Sequence, residues 1–181
     1  MHGRIFDDRR SAGGELAAAL AGLSILEEGV VLALPRGGVP VAYEVAVALE
    51  LPLDILVIRK LGAPGHRELA IGAVGTGCVR VLNRRILDSL KVSDEEVEQI
   101  AREEQRRVEE KEEFLRGGLE RATIAGRSVV LVDDGLATGA SMRAAVETAK
   151  AMNPKRVIVA VPVAPQETVE TLRNILIIDI Q

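Results

Sequence analysis

Five short stretches are apolar at all or nearly all positions: 30–34 (VVLAL), 53–58 (LDILVI), 129–132 (VVLV), 157–163 (VIVAVPV) and 175–180 (ILIIDI). A strand with one wet face alternates apolar and polar residues. A run without that alternation needs cover on both faces, as in a parallel sheet with helices on either side. Segments of helical spacing separate these runs, at 39–49, from 142 to 149 and at 167–173. Strands alternating with helices predict an α/β fold, a mostly parallel sheet flanked by helices on both faces. Ligands of such sheets bind at the carboxyl ends of the strands, so function is sought in the segments that directly follow a run.

Composition narrows the class. The 181 residues suit one domain of about 100–200 residues, and 48% hydrophobic content is enough for a core, so a single domain over 1–181 is expected. Net charge is −4, with one Tyr, two Phe and no Trp. Both the basic stripe and the stacking platforms of a nucleic-acid binder are missing. Cys78 is the only cysteine, and with only His2 and His66 beside it neither a disulfide nor a zinc cluster can be assembled. No apolar run is long enough to span a bilayer, and the first residues lack the apolar core of a signal peptide. A cytoplasmic protein without membrane or nucleic-acid partners is the expectation.

Ser11 is placed to cap a helix over 15–23. The 59–69 stretch (RKLGAPGHREL) loses hydrophobic rhythm and carries Gly62, Pro64 and Gly65, which predicts a mobile loop. Gly75-Thr76-Gly77, between β-prone runs at 71–82, predicts a hairpin turn. The fragment GTGCVR lacks the third glycine of a dinucleotide fingerprint and opens no helix. From 93 to 116 a long charged helix is predicted, with Ser93 and Glu96 in capping-box register and Glu98/Arg102, Glu103/Arg107 and Glu112/Arg116 spaced for ion pairs. Its apolar stripe, Val97, Ile100, Val108 and Leu115, is thin, so a solvated surface helix is expected. Gly117-Gly118 ends it.

The chemistry concentrates at 129–141 (VVLVDDGLATGAS). Two carboxylates, Asp133 and Asp134, follow directly on a buried run, where uncompensated charge is costly unless it is used. Ala137, Thr138, Gly139, Ala140 and Ser141 then offer unhindered amides and two hydroxyls at a helix N-terminus, a cradle for an anion. No lysine of the GxxxxGK[ST] type accompanies it, so a monophosphate fits better than a triphosphate. Phosphate on one side and acceptors for vicinal hydroxyls on the other describe a ribose 5-phosphate.

In this order, a hydrophobic strand, two acids and a T-G-x-[ST] loop, the segment resembles the phosphoribosyl-pyrophosphate signature of the type I phosphoribosyltransferases. Residues 34–38 (LPRGG) are similar to that family's pyrophosphate loop, and the segment after Arg59-Lys60 is placed like its flexible catalytic loop. FDDRRSAG, VIRKLGAPGHRELAIGAVG and AVPVAP resemble a bacterial and archaeal subgroup of the family.

The resemblance implies the phosphoribosyltransferase-like (type I) fold, with the long charged helix and small hairpin inserted. It also implies transfer of the 5-phosphoribosyl group from phosphoribosyl pyrophosphate to a nitrogen nucleophile, usually on a nucleobase, with Mg²⁺ as cofactor and no protein ligand bound directly to the metal. Asp133 and Asp134 would hold the ribose hydroxyls, and Ala137 to Ser141 the 5-phosphate. Arg36, Gly37 and Gly38 would take the pyrophosphate, with Lys60 adding positive charge. A cis, non-proline peptide is implied between Arg36 and Gly37. His66 and Arg67 are weaker candidates, and a homodimer is an assembly such proteins can adopt.

Three rivals belong to other classes. A phosphoacceptor receiver domain also has an acidic pair at a strand end, but near its N-terminus and without a phosphate loop after it. A serine hydrolase using Ser141 lacks the closing glycine of G-x-S-x-G. A non-catalytic regulator that binds phosphoribosyl pyrophosphate shares every motif.

Overall fold

The computed structural model describes residues 6–23, 28–137, 139–171 and 176–179. These form two compact units, Met1–Leu56 with Arg121–Gln181, and Val57–Glu120.

The first unit is built on a five-stranded parallel sheet. Its strands are β1 (Val30–Ala33), β2 (Leu53–Ile55), β6 (Ser128–Val132), β7 (Arg156–Val161) and β8 (Leu176–Asp179), ordered β2-β1-β6-β7-β8. Every residue of β1 and β6 is buried, as runs without alternation require. Helices α1 (Arg9–Leu20) and α2 (Gly38–Ala48) cover one face, packing Leu16, Leu20, Val41 and Val45 onto Val31, Ala33, Val130 and Val132. The alternate residues Val30, Leu32, Val129 and Leu131 are equally buried. Helix α5 (Ala140–Ala151) packs on β6 and β7 through Met142, Ala145, Val146 and Ala149. A short α6 (Gln166–Thr171) precedes β8, and the outer residues of the predicted last helix and strand lie outside the described residues.

Helix α1 starts earlier than the sequence suggests. Asp8, not Ser11, is the N-cap: its carboxylate accepts from the Ser11 N–H at 2.8 Å, and the Ser11 hydroxyl accepts from the Asp8 N–H at 3.2 Å. Asp and Ser both suit this position, and the reciprocal pair decides between them.

At Leu56/Val57 the chain leaves the first unit, so the run 53–58 is divided. The Leu56 amide donates to Ala33, whereas Val57 exchanges hydrogen bonds with Thr76. The second unit holds an antiparallel sheet of β3 (Ile58–Ala63), β4 (His66–Gly75) and β5 (Val79–Leu82), followed by α3 (Arg84–Leu90) and α4 (Asp94–Arg116).

The expected mobile loop at 59–69 is therefore corrected: it is a hairpin. Ala63 pairs with His66, leaving Pro64-Gly65 as a two-residue turn in which Gly65 has φ +74°. Proline presets the first corner and glycine admits the second. The register shifts at Gly62, where an added Cβ would lie 2.6 Å from the Arg67 carbonyl oxygen. The breakers are a turn and a bulge inside a strand pair, which sequence alone does not separate from a loop.

The predicted hairpin, around 75–77, is present as a 3-10 turn between β4 and β5. Helix α4 has the Ser93–Glu96 capping box and ends at Gly117 in left-handed conformation. Its packing face on β3 and β4 is Val97, Ala101, Val108 and Glu112; Ile100 and Leu115 are only half-buried. Glu103/Arg107 and Glu112/Arg116 pair, at 2.6 and 3.5 Å. The Glu98 carboxylate instead takes Arg80 at 2.6 Å, and the Arg102 Nε donates to the Glu98 backbone carbonyl at 3.4 Å.

Candidate functional site

Strands β1 and β6 are neighbours, and from them the chain proceeds to opposite edges of the sheet, β2 on one side and β7 and β8 on the other. The gap between their carboxyl ends is the topological switch point, where open α/β sheets bind ligands. Ala33 stands opposite Val132, so the loop Pro35-Arg36-Gly37-Gly38 and the acids Asp133 and Asp134 leave the sheet side by side.

The glycines allow the two loops to touch. A Cβ on Gly37 would lie 2.6 Å from the Asp134 Cγ, and one on Gly38 would lie 2.6 Å from the Val132 carbonyl oxygen and 2.8 Å from the Asp133 Cα. Only bare backbone fits against the acids. Gly38 opens α2, its amide donating to the Leu34 carbonyl at 3.0 Å, while the Arg36 side chain stays exposed. The Pro35–Arg36 peptide is cis. The cis, non-proline bond thus lies one residue before the one that the family resemblance suggested.

Asp133 is half-buried, and its Oδ1 accepts from the Asp134 N–H at 2.9 Å. Burial pushes its carboxyl up to about 6; the Asp134 N–H opposes this, the Asp134 charge adds to it, and Arg9 pulls back. Asp134 pairs with Arg9, whose Nε and Nη2 lie 2.8 and 2.7 Å from Oδ2.

Downstream, Leu136 donates to the Val163 carbonyl, and the Thr168 hydroxyl donates to that of Ala137 at 2.7 Å, which fixes the start of the loop. Gly139, at φ +71°, is the N-cap of α5 and supplies no side-chain acceptor, so the first amides, at Ala140 and Ser141, face the loop without a cap. Thr138 lies outside the described residues.

Lys60, His66 and Arg67 belong to the second unit. Lys60 is on β3 and donates to Glu68 at 2.8 Å; His66 and Arg67 open β4 and are exposed. Lys60, Arg67 and Gln99 help to line a cleft of about 750 Å³ between the β3–β4 hairpin and α4, which contains neither acid of the switch point. Among the described residues, no helix is long and apolar enough to cross a membrane.

Residues 12–177 match the family model described as a phosphoribosyl transferase domain, and the chain belongs to that family. It is 45% identical over 166 residues to the Mycobacterium tuberculosis (strain ATCC 25618 / H37Rv) protein named "Putative phosphoribosyl transferase Rv0571c", covering 92% of this chain and 37% of the relative. The chain thus spans 37% of the length of the curated relatives it matches. Among solved structures it is similar to TT1426 from Thermus thermophilus, with 47% identity, a TM-score of 0.86, and coverage of 97% of this chain and 84% of that one. Adenine phosphoribosyltransferase from Thermoanaerobacter pseudethanolicus shares the fold at 14% identity and a TM-score of 0.53, with 94% of this chain and 78% of that one covered.

Sequence reasoning missed Arg9. The signal was an arginine at the first position of a helix, inside the FDDRRSAG segment that already marked the subgroup.

Proposed function

We propose that the switch-point site binds phosphoribosyl pyrophosphate and transfers its 5-phosphoribosyl group to a nitrogen nucleophile, with a nucleobase as the favoured acceptor class. The observation that carries this reading is the bare-backbone contact of Gly37 and Gly38 with the acid pair. It sets a loop suited to a diphosphate directly beside carboxylates suited to a ribose.

In the proposed reaction the bond from ribose C1 to the diphosphate oxygen breaks, and the diphosphate keeps the electron pair. The nitrogen lone pair forms the new bond to C1, and the nitrogen then loses its proton to the departing diphosphate or to water. Asp133 and Asp134 accept hydrogen bonds from the ribose hydroxyls and stabilise the positive charge that develops on the sugar ring. Amides at 137–141 hold the 5-phosphate, with the Thr138 and Ser141 hydroxyls as additional donors. Arg36, with the amides of Gly37 and Gly38, holds the diphosphate, and Lys60 is assigned a further positive charge for it. His66 and Arg67 remain lesser candidates.

Among the described residues no three His, Cys, Asp or Glu gather as a metal site. Asp133 and Asp134, the second engaged by Arg9, would meet a substrate carrying Mg²⁺ through its sugar hydroxyls, without a protein ligand bound directly to the ion. When bound, the ion neutralises the leaving diphosphate. The family match runs through both units, which supports reading 1–181 as one functional domain. A cytoplasmic setting and a homodimer are parts of the same proposal.

Calorimetry of phosphoribosyl pyrophosphate with Mg²⁺, followed by pyrophosphate release with a panel of bases, tests it. Binding is expected in the unsubstituted protein and lost in the double variant Asp133→Ala, Asp134→Ala. Binding that survives the double substitution would sink the site. Tight binding without release for any base would make the protein a regulator.

A further inference from the structure

We propose that Arg9 is a positioning residue of this site, fixing the Asp134 carboxylate for the sugar hydroxyls from the first position of α1. The inference rests on the ribose reading above and adds a residue to it.

The Arg9 Nε and Nη2 converge on one oxygen, Oδ2, at 2.8 and 2.7 Å, so these two contacts do not themselves use Oδ1 of Asp134. The same carboxylate is what a side chain at Gly37 would strike, so it is confined by the guanidinium and by the loop backbone together. A carboxylate held in one rotamer before the ligand arrives loses less entropy on binding it.

Arg9 is mounted on an anchored helix. Asp8 and Ser11 close the capping box around it, and Leu16, Ala17 and Leu20 anchor the same helix in the core. The placement is not one that helix energetics would choose, because a cation at the first turn faces the positive end of the helix dipole. Nor is stability the gain: the Arg9 and Asp134 side chains are 60% and 32% exposed, and ion pairs so open to water contribute little to folding. Orientation and local charge remain. Arg10, the next residue, lies 3.9 Å from Glu44 instead, so the two arginines take different partners. The Arg9 charge also opposes the rise in the Asp133 carboxyl, to which Asp134 contributes with the opposite sign.

The experiment compares the unsubstituted protein with R9Q and R9K by calorimetry of phosphoribosyl pyrophosphate with Mg²⁺ across pH 5–8, and records the melting midpoint of each. R9Q is expected to bind about tenfold or more weakly, the range of a lost hydrogen bond to a charged group. Its midpoint is expected to stay unchanged. R9K, which keeps the charge but not the two-nitrogen contact, is expected to fall between. The acid limb of binding is expected at higher pH in R9Q, a shift that a merely structural arginine would not cause. Equal or tighter binding by R9Q, or an unmoved acid limb, overturns the inference while the ribose site stands. Absence of binding by the unsubstituted protein overturns both.

Discussion

Gly37 follows Arg36 and Gly62 follows Arg59-Lys60-Leu61, each a glycine in a basic stretch, yet the two units use them for different ends. In the first unit a Cβ at Gly37 would meet the Asp134 carboxyl group, with Cγ at 2.6 Å. In the second a Cβ at Gly62 would meet backbone, the Arg67 carbonyl oxygen at 2.6 Å. One glycine makes room for a side chain of the proposed site; the other lets two strands of a hairpin close. The charges divide in the same way. Asp133 is held half-buried with its carboxyl pushed up to about 6, whereas Arg59, Lys60 and Arg107 of the second unit are paired with glutamates.

The largest effect that can break this contrast is on ligand binding. Gly37→Ala forces the Asp134 carboxylate or the loop to move, because the new Cβ would lie within 2.4–2.7 Å of the Asp134 carboxyl atoms. Calorimetry should therefore find phosphoribosyl pyrophosphate binding nearly abolished, with the fold kept. Gly62→Ala should show the reverse: overpacking costs about 1–3 kcal/mol in denaturant unfolding, with binding close to that of the unsubstituted protein. If Gly37→Ala binds normally, the glycine loop does not shape the site.

The contrast also explains what the sequence could and could not disclose. The sheet was legible because β1, β6 and β7 are apolar without alternation, a pattern that only burial on both faces produces. The acid pair was legible for the converse reason, charge where the pattern demands none. The 59–69 hairpin was not legible, because Pro64-Gly65 in a tight turn and the same residues in a loop give the same letters. Helix α3 escaped because its seven residues bury only Leu87 and carry no stripe. Arg9 escaped because its partner lies 125 positions away, and no local rule reports such a contact.

A second, smaller effect concerns pH. The folded-state carboxyl of Asp133 is raised from 3.8 to about 6, so between those values the folded protein keeps a proton that the unfolded chain has released. Stability from this group is therefore greatest below the lower value, declines as pH rises to about 6, and is level above it. Denaturant midpoints of Asp133→Asn should lack that decline across the same interval. A decline of equal size in the variant would assign it to another group. Ligand binding should move oppositely, strengthening through about pH 6 as Asp133 becomes an acceptor for hydroxyl protons.

The smallest effect is predicted in the second unit, at Glu68. Its Oε2 accepts from Lys60 Nζ at 2.8 Å, and that hydrogen bond, with the Lys60 charge second, lowers the Glu68 carboxyl from its ordinary value. By sign, a lowered carboxyl adds stability above its unfolded value and loses it as pH falls through the folded one. By size, the pair is open to water, with side chains 53% and 96% exposed, so solvent and salt screen nearly all of it. Glu68→Gln should leave the melting midpoint unchanged within error at neutral pH and at pH 4. Because the substitution releases the Lys60 ammonium, phosphoribosyl pyrophosphate binding should stay level or tighten if Lys60 serves the diphosphate. Weaker binding in Glu68→Gln would show that the proposed use of Lys60 depends on the pair, and would erase the contrast between paired surface charge and the engaged acids of the switch point.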